Sequence, residues 1–225
     1  MQPVVIFDMD GVLVDSFAAH LDAWKTMAAA EGLPFDASRF VAVFGRTSRE
    51  VIGSLWQERH YTDADVAVLD DRREAAYREI INARFPVMPG ARELIVSLSH
   101  ERFALALGSS GPRENAELVL EKIGLRRLFG AVVTGQDVHR GKPDPEVFLT
   151  AAARLGIAPS HCAVIEDAPA GIAAANAAGM VSIGLVSSGR TRELLSGARL
   201  VVDSLQELSP ASIRQLIASA PKQLL

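Results

Sequence analysis

The sequence predicts an α/β protein with a doubly covered parallel sheet, like a Rossmann fold. Short, apolar and β-branched runs recur along the chain, and helical patterns follow most of them. Strands buried on both faces read as continuous apolar runs, and strand–helix alternation is typical of parallel sheets. The 225 residues suffice for one large domain, or for a domain with a smaller companion.

Six apolar runs are predicted strands. In chain order they are Val4–Phe7, Phe103–Leu107, Ala131–Thr134, Ala163–Ile165, Val181–Val186 and Leu200–Val202. Arg113–Ile123 and Pro145–Leu155 carry an apolar face with helical spacing and are predicted helices. Asp144-Pro145 and Ser209-Pro210 each predict an N-cap followed by proline at the first helical position.

One interval between the first two strands contains only helical patterns. There are at least three, near Ala18–Glu31, Arg49–Arg59 and Asp63–Arg84, and Thr47-x-x-Glu50 predicts a capping box for the second of these. A connection this long far exceeds an ordinary βα loop. We therefore predict a small helical domain at residues 15–87, inserted into a catalytic core formed by residues 1–14 and 88–225.

Composition argues against several classes of partner. The net charge is −4 and no basic run stands out, so neither nucleic acid nor an anionic membrane is an expected partner. No apolar run has the length of a membrane span, and no basic leader opens the chain. Cys162 is the only cysteine, which excludes an internal disulfide. We expect a cytoplasmic monomer.

Two carboxylates follow the first predicted strand directly. Asp8 and Asp10 are two residues apart, so in an extended chain their side chains point the same way. Like charges a few ångströms apart raise each other's pKa unless a cation lies between them. The pair therefore indicates a bound metal, or chemistry that needs one ionised and one protonated carboxyl group.

Other polar residues follow the later strands. Ser109 and Ser110 follow the second strand and are expected to open a helix, a natural anion site. Lys142 follows the third strand, and Glu166-Asp167 follows the fourth. Because ligands of α/β sheets bind at the carboxyl ends of strands, these groups are expected to converge. Clustered carboxylate oxygens favour Mg²⁺, and the lysine and serines favour a phosphate group.

The sequence resembles the haloacid dehalogenase superfamily of phosphohydrolases. Its four motifs occur in order, as Asp8-Met9-Asp10-Gly11, Ser109, Lys142 and Glu166-Asp167, and span most of the chain. Within the superfamily, residues 141–145 and 165–171 are similar to the β-phosphoglucomutase and phosphoglycolate phosphatase branch. The inserted helices resemble the small cap of this family, which is expected to close over the site and to suit a small phosphorylated metabolite.

The resemblance implies a role for each core residue. Asp8 is the expected nucleophile, and it needs no base because a carboxylate is ionised at neutral pH. Asp10 is expected to protonate the leaving oxygen and later to deprotonate water. The implied Mg²⁺ ligands are Asp8, the Asp10 backbone carbonyl and Asp167, with Glu166 as a candidate.

The remaining core residues are implied to bind the phosphoryl group. Lys142 is expected to offset repulsion between the nucleophile and the phosphate. Ser109 and backbone N–H groups near Ser110 and Gly11 are expected to hold the phosphoryl oxygens.

Two cap residues are substrate-binding candidates. His20 and Arg49 occupy positions similar to a histidine and an arginine of the phosphoglucomutase branch. The sequence departs from that branch at Glu79, where the branch has a substrate-binding lysine, and at residues 43–46, which do not match its substrate loop.

The expected function is Mg²⁺-dependent hydrolysis of a small phosphate monoester, such as a sugar phosphate, through an aspartyl-phosphate. The main alternative is a phosphomutase, which His20 and Arg49 favour and Glu79 opposes. A dehalogenase requires neither Asp10 nor a metal site. A receiver-like phospho-acceptor has similar residues but neither a cap nor this order of motifs.

Overall fold

The computed structural model describes residues 2–44 and 46–220, so Gly45 of the 43–46 segment and the last five residues of the predicted core lie outside it. Within the described residues one parallel sheet has the strand order β3-β2-β1-β4-β5-β6. The strands are β1 (Val4–Phe7), β2 (Ala104–Gly108), β3 (Phe129–Val133), β4 (Cys162–Glu166), β5 (Val181–Leu185) and β6 (Leu200–Val202). The predicted α/β class is confirmed.

Strand β1 lies at the centre of the sheet, between β2 and β4. Phe7, its last residue, is in register with Leu107 of β2 and with Ile165 of β4. On the other side of β2, Gly108 pairs with Val133. The central strands thus end at nearly the same level, so the residues that follow them meet at one edge.

Five helices of the described residues belong to the same unit as the sheet. They are α5 (Ala91–His100), α6 (Arg113–Ile123), α7 (Glu146–Leu155), α8 (Pro169–Ala177) and α9 (Pro210–Ala218). On one face of the sheet, Val147 and Phe148 of α7 pack with Ile6 and Val164 in a fully buried apolar cluster. This cluster holds the carboxyl ends of β1 and β4 in place.

The inserted segment Ser16–Phe85 forms a second compact unit. Its helices are α1 (Phe17–Ala30), α2 (Ala37–Val43), α3 (Ser48–Leu55) and α4 (Asp63–Ala83). Trp24 and Trp56 lie in its apolar core, together with Phe40 of α2. Helix α2 was not among the helices predicted individually, because seven residues are too few to show helical periodicity.

The first residues of the observed helices can be compared with the predicted N-caps. Thr47 caps α3 through the expected capping box with Glu50, and Ser209 caps α9. The prediction of Asp144 as the N-cap of α7 was wrong by one residue. Pro145 occupies that position, and Asp144 instead accepts a hydrogen bond from the Glu146 N–H at 3.0 Å.

The two ends of the insertion are paired within the sheet-bearing unit. The Asp15 N–H donates to the Pro86 carbonyl at 2.8 Å, and Val14 forms an antiparallel bridge with Val87. None of the helices among the described residues is long and apolar enough to cross a membrane.

Candidate active site

Lys142 lies at the centre of a buried charged cluster. Its Nζ donates to Asp8 Oδ1 at 2.6 Å, to Glu166 Oε1 at 2.6 Å and to the Gly108 carbonyl at 3.1 Å. Only 8% of the lysine side chain is exposed. These contacts use all three donors of the ammonium group, so one lysine joins residues from the ends of three strands.

The sheet fixes the carboxylates around this lysine. Asp8 continues β1, with its N–H bonded to the Ile165 carbonyl of β4 at 2.9 Å, and Glu166 is the last residue of β4. Lys142 comes from the loop between β3 and α7, where the Lys142-Pro143 peptide is cis. The Phe148 ring lies 4.8 Å from its ammonium group, which adds a cation–π contact.

Both carboxylate oxygens of Glu166 have protein partners. Oε1 accepts from Lys142, and Oε2 accepts from the Ala168 N–H at 2.9 Å. A Cβ on residue 171 would lie 1.8 Å from Oε1, so glycine is required there. Glu166 is therefore firmly held as a counter-ion of the lysine.

The Asp167 carboxylate has partners that the sequence analysis did not identify. Ser187 Oγ donates to Asp167 Oδ2 at 2.7 Å, and Arg190 Nε lies 3.9 Å from the same oxygen. Both residues follow β5, the neighbour of β4. The expectation that functional residues follow the carboxyl ends of the strands could have identified them after β5. They were missed because serine and arginine are also ordinary loop residues.

Burial and mutual repulsion shift the acidity of the cluster. Burial, with the charges of Glu166 and Asp167, raises the pKa of Asp8 well above its usual value despite the opposing effect of Lys142. Burial and the charge of Glu166 raise the pKa of Asp167 to about 7, and Asp10 adds to this shift. Burial alone would lower the pKa of Lys142, but Asp8 and Glu166 outweigh it and raise that pKa.

The carboxylates fit a divalent cation. Asp8, Glu166 and Asp167 are buried, and each offers an oxygen within 4.8 Å of the others. Burial and repulsion among the three carboxylates outweigh Lys142 and Arg190, so the pKa values of Asp8 and Asp167 rise. An all-oxygen, anionic donor set suits a hard cation such as Mg²⁺.

Ser109 and Ser110 lie beside this cluster but do not open a helix, so that expectation was wrong. Helix α6 begins at Arg113 after Pro112. Ser109 is buried, and its hydroxyl accepts a hydrogen bond from the Gly111 N–H at 3.1 Å. Ser110 is exposed. The serines form a tight turn after β2 that precedes the helix.

Asp10 and Gly11 lie in the turn after β1. Asp10 is half-buried, and its charge reaches Asp167, as the pKa of Asp167 shows. Gly11 has a φ of +72°, and its N–H donates to the Val14 carbonyl at 2.8 Å. The Gly11 N–H is thus engaged in the turn, and the predicted binding of phosphoryl oxygens by backbone N–H groups near Gly11 stays a prediction.

The two predicted substrate residues of the insertion belong to the helical unit. The His20 ring stacks on Tyr77 with centroids 4.3 Å apart. Arg49 forms an ion pair with Asp63. Their predicted contacts with substrate stay predictions, and Glu79 is exposed on α4.

The family model and the curated relatives that match this chain point to the same protein family. A family model for haloacid dehalogenase-like hydrolases matches residues 3–179. The chain is 36% identical to β-phosphoglucomutase of Bacillus subtilis, covering 91% of each protein. It is 35% identical to validoxylamine A 7'-phosphate phosphatase of Streptomyces hygroscopicus subsp. limoneus, covering 92% of this chain and 96% of the relative.

A solved structure agrees. A haloacid dehalogenase hydrolase of family IA, variant 3, from Entamoeba histolytica is 27% identical and superimposes with a TM-score of 0.87. The match covers 97% of this chain and all of that one. The chain is therefore an enzyme of the haloacid dehalogenase-like hydrolase family, in the branch that includes β-phosphoglucomutase and related phosphatases.

Proposed function

We propose that the protein is a Mg²⁺-dependent phosphatase that hydrolyses a small phosphate monoester through an aspartyl-phosphate on Asp8. The observation that carries this proposal is the contact of Lys142 with both Asp8 and Glu166 inside a buried carboxylate cluster. A nucleophilic carboxylate held against a lysine can approach a phosphate dianion with less repulsion. The relatives include, by name, a phosphatase of a phosphorylated compound and a phosphoglucomutase, which supports an enzyme that acts on phosphate esters.

In the first step, an Asp8 carboxylate oxygen attacks phosphorus and the ester oxygen leaves. The bond to the leaving oxygen breaks as the Asp8–phosphorus bond forms, and Asp10 gives its proton to the departing alkoxide. Lys142 stabilises charge on the phosphoryl oxygens, since it is buried and already bonded to Asp8.

In the second step, water attacks the aspartyl-phosphate. Asp10, now a carboxylate, removes a proton from the water, and the acyl-phosphate bond breaks to release inorganic phosphate and free Asp8.

Asp8, Asp167 and the Asp10 backbone carbonyl would hold the metal. When bound, Mg²⁺ supplies positive charge that ionises the cluster and polarises a phosphoryl oxygen. Glu166 serves mainly to hold Lys142, because both of its oxygens accept protein hydrogen bonds.

A phosphomutase is the second candidate. The 36% identity to B. subtilis β-phosphoglucomutase favours it, as do His20 and Arg49. Glu79 opposes it, because the acidic side chain replaces the substrate-binding lysine expected from the resemblance. We favour the hydrolase because Glu79 stands where the mutase branch has a substrate-binding lysine.

The test measures free phosphate from a panel of phosphate monoesters with Mg²⁺. One arm contains β-glucose 1-phosphate with glucose 1,6-bisphosphate, and glucose 6-phosphate is followed there. Asp8→Asn, which removes the nucleophile but nearly preserves side-chain volume, is the matched blank.

Phosphate release that Asp8→Asn abolishes supports the phosphatase. Glucose 6-phosphate formed with little free phosphate overturns it in favour of the mutase. Neither product from any ester, with a stable phospho-aspartate, indicates a receiver-like acceptor.

A further inference from the structure

The loop after β5 holds one oxygen of a candidate metal ligand. Ser187 is buried, and its hydroxyl donates to Asp167 Oδ2 at 2.7 Å. Arg190 Nε approaches the same oxygen at 3.9 Å, and only 13% of the arginine side chain is exposed. Two side chains of one loop are thus directed at Oδ2.

Gly11 provides the space that Oδ2 occupies. A Cβ on residue 11 would lie 2.0 Å from Asp167 Oδ2 and 3.0 Å from Ser187 Oγ. The φ of +72° at Gly11 also favours glycine. The turn after β1 and the loop after β5 therefore form a slot that fits this oxygen, and the slot fixes the rotation of the carboxylate.

A carboxylate with one oxygen held by the protein has the other available for a metal. Mg²⁺ is small and demands near-octahedral geometry, whereas Ca²⁺ takes six to eight ligands and often binds both oxygens of one carboxylate. A rotationally fixed, one-oxygen ligand favours the smaller ion. Partners of this kind commonly tune metal affinity without touching the metal.

We propose that Ser187 is a positioning residue that restricts Asp167 to one-oxygen coordination and thereby makes the site discriminate against Ca²⁺. The inference rests on the proposed metal site and deepens it. Arg190 supports the arrangement from the same side, and Gly11 leaves room for it.

The chain offers a matched control one residue away. Ser188 is exposed, and its hydroxyl donates to Asp15 Oδ2 at 3.0 Å, not to Asp167. Ser188→Ala therefore removes a hydroxyl from the same loop and leaves the Asp167 slot intact.

The experiment measures Mg²⁺ and Ca²⁺ binding to the metal-free full chain by isothermal titration calorimetry. In Ser187→Ala we expect Mg²⁺ affinity to fall roughly tenfold while Ca²⁺ affinity holds or rises, so that the preference for Mg²⁺ drops by about that factor. In Ser188→Ala the preference should equal that of the wild type. Thermal melting checks folding, and Ser187→Cys, similar in volume but a weak donor, is the second variant.

An unchanged Mg²⁺/Ca²⁺ preference in a folded Ser187 variant overturns the inference. So does an equal loss in Ser188→Ala, because any change in the loop would then suffice. A wild-type chain that binds no divalent ion instead overturns the metal site of the proposed function, and the inference with it.

Discussion

Each of the two compact units buries a cationic side chain among carboxylates, but the two arrangements differ in the number of carboxylates and in how deeply these are buried. In the helical unit Arg73 of α4 contacts Asp70 and Glu74, and its guanidinium lies 5.5 Å from the centre of the Trp24 ring. Burial opposes its charge, yet the two carboxylates outweigh this and raise the pKa of Arg73. In the sheet-bearing unit Lys142 contacts Asp8 and Glu166, and the third buried carboxylate, Asp167, has Arg190 3.9 Å from one of its oxygens.

The two clusters also differ in the solvent exposure of their carboxylates. The Asp70 side chain is 36% exposed and also accepts from Ser48 Oγ at 2.6 Å, so water and a hydroxyl share its charge. Asp8 and Glu166 are far less exposed. The negative charge of the Arg73 cluster is therefore partly solvated, whereas the carboxylates of the Lys142 cluster are more deeply buried and would be stabilised more by an added cation.

The largest effect is expected from Lys142→Met. The buried carboxylates of Asp8 and Glu166 then lose the lysine that both contact, and the free energy of unfolding should fall by about 3–5 kcal/mol without metal. Phosphate release should fall to the level of Asp8→Asn. Urea denaturation with and without Mg²⁺ measures the stability, and Mg²⁺ should stabilise this variant more than the wild type. If Mg²⁺ did not reduce the loss of unfolding free energy, the carboxylates around Lys142 would not be the ones that an added cation stabilises.

Arg73→Met should cost nearly as much, about 3 kcal/mol, because it leaves Glu74 buried without that arginine. Mg²⁺ should give this variant the same stability increment as the wild type, since the affected charges lie outside the proposed metal site. The same denaturation series tests this. If Mg²⁺ selectively restored Arg73→Met, the two clusters would not differ as argued.

The metal-free protein should lose stability as the pH rises from about 4 to about 7. In this window the folded state keeps a proton on Asp167, whose pKa is raised to about 7, while the unfolded state has lost it. Melting temperatures in EDTA across this range measure the effect, and Mg²⁺ should reduce it. Asp167→Asn is the control and should make the profile less steep, although Asp8, whose pKa is also raised, still contributes. A flat profile for the wild type would show that this carboxyl titrates normally.

The smallest effect concerns the N-cap of α4, Thr62, which contacts none of the carboxylates around Lys142. Thr62 accepts from the Asp65 N–H at 3.2 Å, and Asp65 accepts from the Thr62 N–H at 2.9 Å. Thr62→Ala should lower the free energy of unfolding by about 1 kcal/mol, whereas Thr62→Ser should keep most of the stability that the cap contributes. Mg²⁺ affinity, measured by calorimetry, should not change in either. A changed affinity would mean that the helical unit affects the metal site.

Sequence patterns predicted the sheet because its strands are continuous apolar runs, and every predicted strand lies within two residues of an observed one. They also predicted that Asp8, Lys142 and Glu166-Asp167 would meet, since strand ends converge in a parallel sheet. They did not predict α2 individually, because it is too short to show a period. They also missed Ser187, because its contact with Asp167 depends on a fold-determined approach between loops twenty residues apart.

The paired ends of the insertion have a consequence for how such proteins diversify. About seventy residues leave and re-enter the sheet-bearing unit where Asp15 bonds to Pro86 and Val14 pairs with Val87. A segment whose ends already meet needs no new loop closure when it is replaced. The helical segment can therefore be exchanged as one unit. Exchanging it for one of different length and sequence alters one continuous stretch of the gene and leaves every strand pairing of the sheet in place.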